Sequence, residues 1–281
     1  MGFATMADLV CETVTNGKSW PLCWGKAFAD PGGTTDLGWV SGWPAAGMPA
    51  AGSNPATTPG TAYTSTPASP VTGSFPLGDR AGETKHILRM SCAPVTTAQA
   101  GTLMLYDRLY GVSSVAITST GNRALNNGTV SLARYASGEG VIPVLEVTTA
   151  GTTTIPVVTL ESYVDQAGNT EVGAPSLTFP TATAGIATMF FLPLAAGDNG
   201  CRSITTLNVV TADAAMVCNA LLIKPLAFLP VVAGWAATEL TYVVQSLSLP
   251  RVYDGACLAL AYASATSTTF NFCGHIEIGF G

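Results

Sequence analysis

Charge is what this chain of 281 residues has least of: Lys, Arg, Asp and Glu make up 10% of it, against about 25% in an average globular domain. Ala, Thr, Gly, Ser and Val take the space. A monomer with so few charges is poorly soluble, so the composition predicts a surface covered largely by other subunits. The eleven Lys and Arg are scattered from Lys18 to Arg251 with no basic run, and the net charge is −6. Binding a polyphosphate backbone needs clustered cations that release counterions, so no direct contact with nucleic acid is expected.

Histidine is nearly absent, with only His86 and His275. No GxSxG elbow, Walker loop, HExxH or DxDxDG calcium loop occurs, so neither an enzyme nor a bound cofactor is expected. The seven cysteines show no CxxC pair and no zinc spacing, and an odd number cannot close a disulfide set. They read as buried, reduced thiols, with Cys11 and Cys23 the one pair that invites a disulfide. The start, MGFATMADLVCETVTNGK, lacks the basic residues and apolar run of a secretory signal, and synthesis in a cytoplasm follows. Residues 217–237 approach the roughly 20 apolar residues a bilayer demands, yet Lys224, Pro225 and Pro230 interrupt them. No membrane partner is expected.

Four of the five tryptophans, Trp20, Trp24, Trp39 and Trp43, fall in residues 1–73, followed by PAAGMPAAGSNPATTPGTAYTSTPASPVTG. Such Pro, Gly, Ser and Thr density reads as an extended arm or, for residues 44–73, a disordered linker. Clustered Trp does not stay in water. The arm is therefore expected to dock on the rest of the chain or on a neighbouring subunit, with these four residues as assembly contacts.

Beyond the arm the chain repeats. Ser131-Leu132-Ala133-Arg134 with Gly138 recurs as Ser248-Leu249-Pro250-Arg251 with Gly255, 117 residues on. The same offset pairs Pro76-Leu77 with Pro193-Leu194, Ile87 with Ile204, Leu105 with Leu222, Leu109 with Leu226, and Val115-Ala116 with Val232-Ala233. One offset across many apolar positions marks an internal duplication. It also disposes of a membrane span, because Leu222 to Val232 aligns with LYDRLYGVSSV.

Within each copy the signal is β: Val, Ile and Thr are abundant, Gly and Asn punctuate, and no long 3.6-residue period occurs. Strands are predicted at 85–91, 102–106, 140–147 and 154–164, with turns at 166–169 and 198–200. In the last strand Phe270, Phe272, Gly274, Ile276, Ile278 and Phe280 share one face. The expected fold is all-β: an arm (1–73), a jelly-roll-like β-sandwich repeat (74–165), a linker or hairpin (166–190) and a second sandwich repeat (191–281).

Two constellations stand out as candidate sites. Cys273, His275 and Glu277 alternate on the outer face of the last strand and would need a further ligand to hold a metal; a plain polar face is the preferred reading, and no metal is expected. Arg134 and Arg251 recur at equivalent positions, and each is expected to brace a loop or subunit contact by bidentate hydrogen bonds.

The phrases KHILRM, LYDRLYGV, SLARYASGEGV and SLPRVYDGACLAL resemble those of virion structural proteins of tailed bacteriophages, over roughly residues 75–281. The resemblance implies a capsid or capsid-decoration subunit, located in the virion after assembly in the host cytoplasm, with other copies of itself and other capsid proteins as partners. It carries no functional residues with it. A receptor- or glycan-binding tail or fibre protein is the alternative, and a hydrolase on a β scaffold is the third reading. A duplicated chain further suggests a trimer, which would present six related units in a ring.

Overall fold

The computed structural model describes residues 3, 5–28, 38–95, 100–126, 131–234, 236–242, 249–264 and 270–281. Its strands are β1 (Ser19–Phe28), β2 (Trp39–Ser41), β3 (Ala46–Met48), β4 (Thr61–Ala62), β5 (Lys85–Pro94), β6 (Gly101–Ala116), β7 (Gly121–Ala124), β8 (Ile142–Thr149) and β9 (Val157–Asp165). They continue as β10 (Thr170–Val172), β11 (Ser176–Thr178), β12 (Thr188–Phe191), β13 (Cys201–Thr211), β14 (Val217–Val231), β15 (Thr238–Thr241), β16 (Arg251–Val252), β17 (Leu258–Ser264) and β18 (Phe270–Phe280). One short helix, α1 (Met6–Val10), is capped by the Thr5 hydroxyl, which accepts from the Asp8 N–H at 3.0 Å. Among the described residues no helix is long and apolar enough to cross a membrane.

All pairings between these strands are antiparallel, and they make three layers. In the middle β14, β8, β12, β2, β17 and β6 form a ring, closed because β6 also pairs with β14. A six-stranded sheet (β15, β5, β18, β1 and β3, with β16 on β5) covers one flank, and a five-stranded sheet (β10, β9, β13 and β7, with β11 on β9) covers the other. Strand alternation sorts the ring's side chains. Met104, Tyr106, Val144, Leu221, Ile223, Ala259 and Ala261 cluster together in one small core. Their neighbours turn the other way, Leu103, Leu105, Leu258 and Leu260 towards the first sheet and Leu145, Val147, Ala220 and Leu222 towards the second.

The all-β sandwich architecture expected from the pattern is the one formed, and the 117-residue offset recurs in its strands. β5 corresponds to β13, β6 to β14, β7 to β15, β8 to β17 and β9 to β18. The two cores, however, are not the two sequence stretches. β5 pairs with β18 and β15, whereas β13 pairs with β9 and β7, so each sandwich is closed by strands of the other copy. Ile87 and Leu105 therefore lie in one core while their equivalents Ile204 and Leu222 lie in the other. The cause is strand length. β6 has 16 residues and β14 has 15, about 50 Å at 3.3 Å per residue. That is too long for one sandwich, so each strand serves one core with its first half and the other with its second.

The segment expected as an arm is extended, but it is not separate. β1 is an interior strand of the first sheet, between β18 and β3, and β2 completes the ring between β12 and β17. Trp24 (2% exposed) and Trp43 (1%) are core residues of this chain, because an indole buries more apolar area than any other side chain nearby. Gly274 allows Trp24 its place: a Cβ there would lie 2.9 Å from the indole and 2.0 Å from the Ser91 carbonyl oxygen. The last strand presents Phe270, Phe272, Ile276, Ile278 and Phe280 inward, as its alternation requires.

Candidate functional site

The duplication places its own symmetry point in the structure. In the β6 and β14 ladder Asp107 lies opposite Lys224, and these two residues are equivalents at the 117-residue offset. A local twofold axis therefore crosses the sheet there, and adjacent residues point to opposite sides of it.

On one side Asp107 accepts from Arg134 Nε and Nη2, both at 2.9 Å, and from the Cys257 N–H at 2.8 Å. Carboxylate and guanidinium are both buried, at 0% and 6% exposed. The loop that returns Arg134 to this position turns at Gly138, whose φ of 71° is matched by 72° at Gly255. That left-handed conformation favours Gly and explains why the repeated phrase carries it. A Cβ on Gly138 would also meet the Cys201 backbone at 2.6 Å.

On the other side Arg108 donates to both oxygens of Glu146 at 3.2 Å, and Asn219 Nδ2 donates to the same carboxylate at 3.0 Å. The Arg108 guanidinium lies 4.6 Å from the Trp43 ring centroid and 5.1 Å from that of Tyr63, within cation–π range. Burial pushes the Glu146 carboxyl up, but the charge and hydrogen bonds of Arg108 outweigh it and hold the group below the usual carboxylate range.

Arg134 braces its loop through a bidentate contact that lies within its own chain. Arg251 does not repeat it, because the residue equivalent to Asp107 is the cation Lys224. Arg251 is exposed on β16, its guanidinium 4.4 Å from the Tyr253 ring centroid. Trp39 is half-buried against Phe191 and Phe228, and Trp20, 40% exposed, rests on Gly78. Of the four tryptophans, Trp20 is the one left open to a neighbour.

Cys273, His275 and Glu277 share the outer face of β18, each with its own cross-strand partner. The Cys273 thiol meets the Ala93 carbonyl at 3.8 Å, His275 Nδ1 lies 2.6 Å from Ser91 Oγ, and Glu277 pairs with Arg89 at 2.9 Å. Among the described residues the one group of potential ligands close enough for a metal is instead Asp165, Glu171 and Asp198. There Asp165 caps its own turn by accepting from Asn169, and Asp198 accepts from the Tyr163 hydroxyl, so two of the three oxygens already brace the fold.

All seven cysteines are free, so the suggested Cys11 and Cys23 disulfide is not formed; both are exposed, as is Cys273. Burial pushes the Cys92 and Cys257 thiols up to about 12, and thiolate is the reactive form. Titration of the native protein with an aromatic disulfide reagent is expected to label Cys11, Cys23 and Cys273 quickly. Cys92, Cys201, Cys218 and Cys257 should react only on unfolding, and a fast-reacting thiol count above or below these three would contradict the described packing.

The residues that sequence reasoning missed are Asp107, Arg108, Glu146, Asp213 and Lys224. For most of them a signal existed: a charge within an otherwise apolar β run, as in LYDRLYGV, VLEVTT and LLIKPLAFLP, is a buried charge in search of a partner.

No protein-family model matches the chain, and no curated protein matches it. Among solved structures, the infectious bursal disease virus VP2 subviral particle is 9% identical, covering 97% of this chain and 86% of that one, with a TM-score of 0.18. The infectious bursal disease virus Gx strain structure is 8% identical, covering 94% and 80%, with a TM-score of 0.16. Likenesses this loose carry no argument, and the all-β architecture rests on the strands themselves.

Proposed function

We propose that this chain is a non-enzymatic structural subunit of a virion, that of a tailed bacteriophage, serving as a capsid or capsid-decoration protein held by many neighbours. The observation that carries the reading is where the few charges go. Asp107, Arg108, Arg134 and Glu146 are buried in pairs at the centre of the molecule. The exterior is left with little charge and with open apolar side chains, among them Phe228 at 49%, Val232 at 54%, Ile186 at 54% and Val172 at 70% exposed. Such a surface suits contact with protein rather than solvent. The phrases that resemble phage virion proteins fall on β5, β6, the Arg134 loop and the β16 to β17 segment, and all but the first of these supply residues to the Asp107 side of the symmetry point.

The partners in this reading are further copies of the chain, three around a threefold axis, and other capsid proteins. Neither nucleic acid nor membrane is contacted, and the protein resides in the virion after assembly in the host cytoplasm. Quantitative mass spectrometry of purified particles tests this. Hundreds of copies per particle are expected; a handful would move the protein to the tail or fibre, and absence from the particle would refute a virion role. The mass of the isolated protein tests the trimer, which a stable monomer or dimer would exclude.

A further inference from the structure

The side of the symmetry point that holds Arg134 opens outward into two contiguous depressions, with cavity volumes of about 380 and 450 Å³, that share Tyr135, Lys224 and Tyr253. We infer that this is a binding site for a carboxylate-bearing sugar, its acid group held between Lys224 and Arg251 and its ring seated against the tyrosines.

The two cations carry the first part of the argument. Lys18, Lys85, Arg89, Arg108 and Arg134 all pair with carboxylates of the chain. Lys26, Arg80, Arg123 and Arg202 contact backbone oxygens or a ring instead, whereas Lys224 and Arg251, which have no carboxylate pair among the described residues, line one depression together. Lys224 Nζ donates to the Glu139 carbonyl at 2.7 Å, leaving donors for a ligand. Arg251 lies over the Tyr253 ring, which orients the guanidinium, and among the described residues no hydrogen bond takes its nitrogens.

The walls select the ligand. Tyr135 and Tyr253 meet edge to face with centroids 4.8 Å apart. Tyr135 is held at φ 54°, a left-handed conformation that a bulky residue adopts only when its surroundings enforce it. Its hydroxyl is buried without a hydrogen-bond partner among the described residues. At the rim Glu139 and Asn199 add an acceptor and an amide. A carboxylate near Lys224 disfavours a dianionic phosphate, whereas hydroxyl groups donate to it readily. Convergent polar groups of mixed type beside aromatic walls are the features of a small-molecule site, and here they match one negative charge plus several hydroxyls. The sequence repeat has a part in this. Arg134 is neutralised by Asp107, but the duplicate position holds Lys224, so Arg251 is released from the buried role of its counterpart.

Titration with D-glucuronate and D-galacturonate, followed by calorimetry and by saturation-transfer NMR, tests the assignment, with methyl glucoside and inorganic phosphate as controls. Saturable binding of at least one uronate is expected. Arg251→Gln should weaken it about tenfold, the loss of one charged hydrogen bond, with an unchanged melting temperature because the side chain is exposed. Lys224→Gln should weaken it similarly. No saturable uronate binding, equal binding by Arg251→Gln, equal binding of methyl glucoside, or tighter binding of phosphate would each overturn the inference.

Discussion

Replacing Asp107 by Ala is expected to destabilise the protein by about 3–5 kcal/mol, the cost of leaving one member of a buried ion pair without its partner. Arg134 would remain 6% exposed with its Nε and Nη2 unsatisfied, and the Cys257 N–H would lose its acceptor. The effect should be transmitted beyond the pair. Asp107 sits on β6, Arg134 in the loop before β8, and Cys257 just before β17, so one carboxylate ties strands of both copies together at their crossing. Urea unfolding at neutral pH measures the change. The double variant Asp107→Ala with Arg134→Met should be less destabilised than the sum of the two single changes, because it leaves no orphaned charge. A loss below about 1 kcal/mol for Asp107→Ala, the size expected of an exposed pair, would contradict the burial.

The strand pattern was legible because it rests on local alternation. Phe270 to Phe280 could face only one way once the period of two was recognised, and the turns at 166–169 and 198–200 carried Gly and Asn where the chain reverses. The duplication was legible too, since a fixed offset survives even where identities do not. The pairing of its strands was not. Whether β5 joins β9 or β18 depends on contacts between residues about 190 positions apart, as in Met90 opposite Ile276, and the two copies have equivalent apolar faces, so pattern alone serves either arrangement. The arm misled for a similar reason. Proline and glycine between residues 44 and 73 exclude regular structure, yet they say nothing of the ten-residue run Ser19–Phe28, whose alternating burial needs both neighbours to be intelligible.

The centre of the molecule shows what became of the symmetry. Equivalent residues Asp107 and Lys224 face each other, so a protein made of two identical copies would have set like charges opposite one another there. Opposite signs at equivalent positions remove that repulsion, and they also make the two sides of the chain unlike. One copy's arginine is buried against Asp107; the other's stands open beside Lys224.

Asp213 gives the second large effect, and its sign with pH follows from its surroundings. The carboxylate accepts backbone N–H groups of Thr152, Thr153, Thr154, Ala215 and Met216 at 2.9 to 3.2 Å, clamping the 150–154 loop to the turn between β13 and β14. Burial pushes its pKa up, but these donors, led by Ala215, Thr153 and Thr152, outweigh it and hold the group far below the usual carboxylate range. A folded pKa below the unfolded value, near 3.9 for Asp, means that the ion stabilises the fold fully at pH values above the unfolded value. The contribution is then lost as pH falls through the unfolded value towards the folded one. Asp213→Ala should therefore cost about 3 kcal/mol or more at neutral pH, several charged hydrogen bonds being removed at once. The gap between wild type and variant should narrow as pH drops below about 4. Urea melts at pH 7 and pH 3 provide the check. A gap that stayed constant or widened in acid would show that the clamp does not depend on the ionised carboxylate.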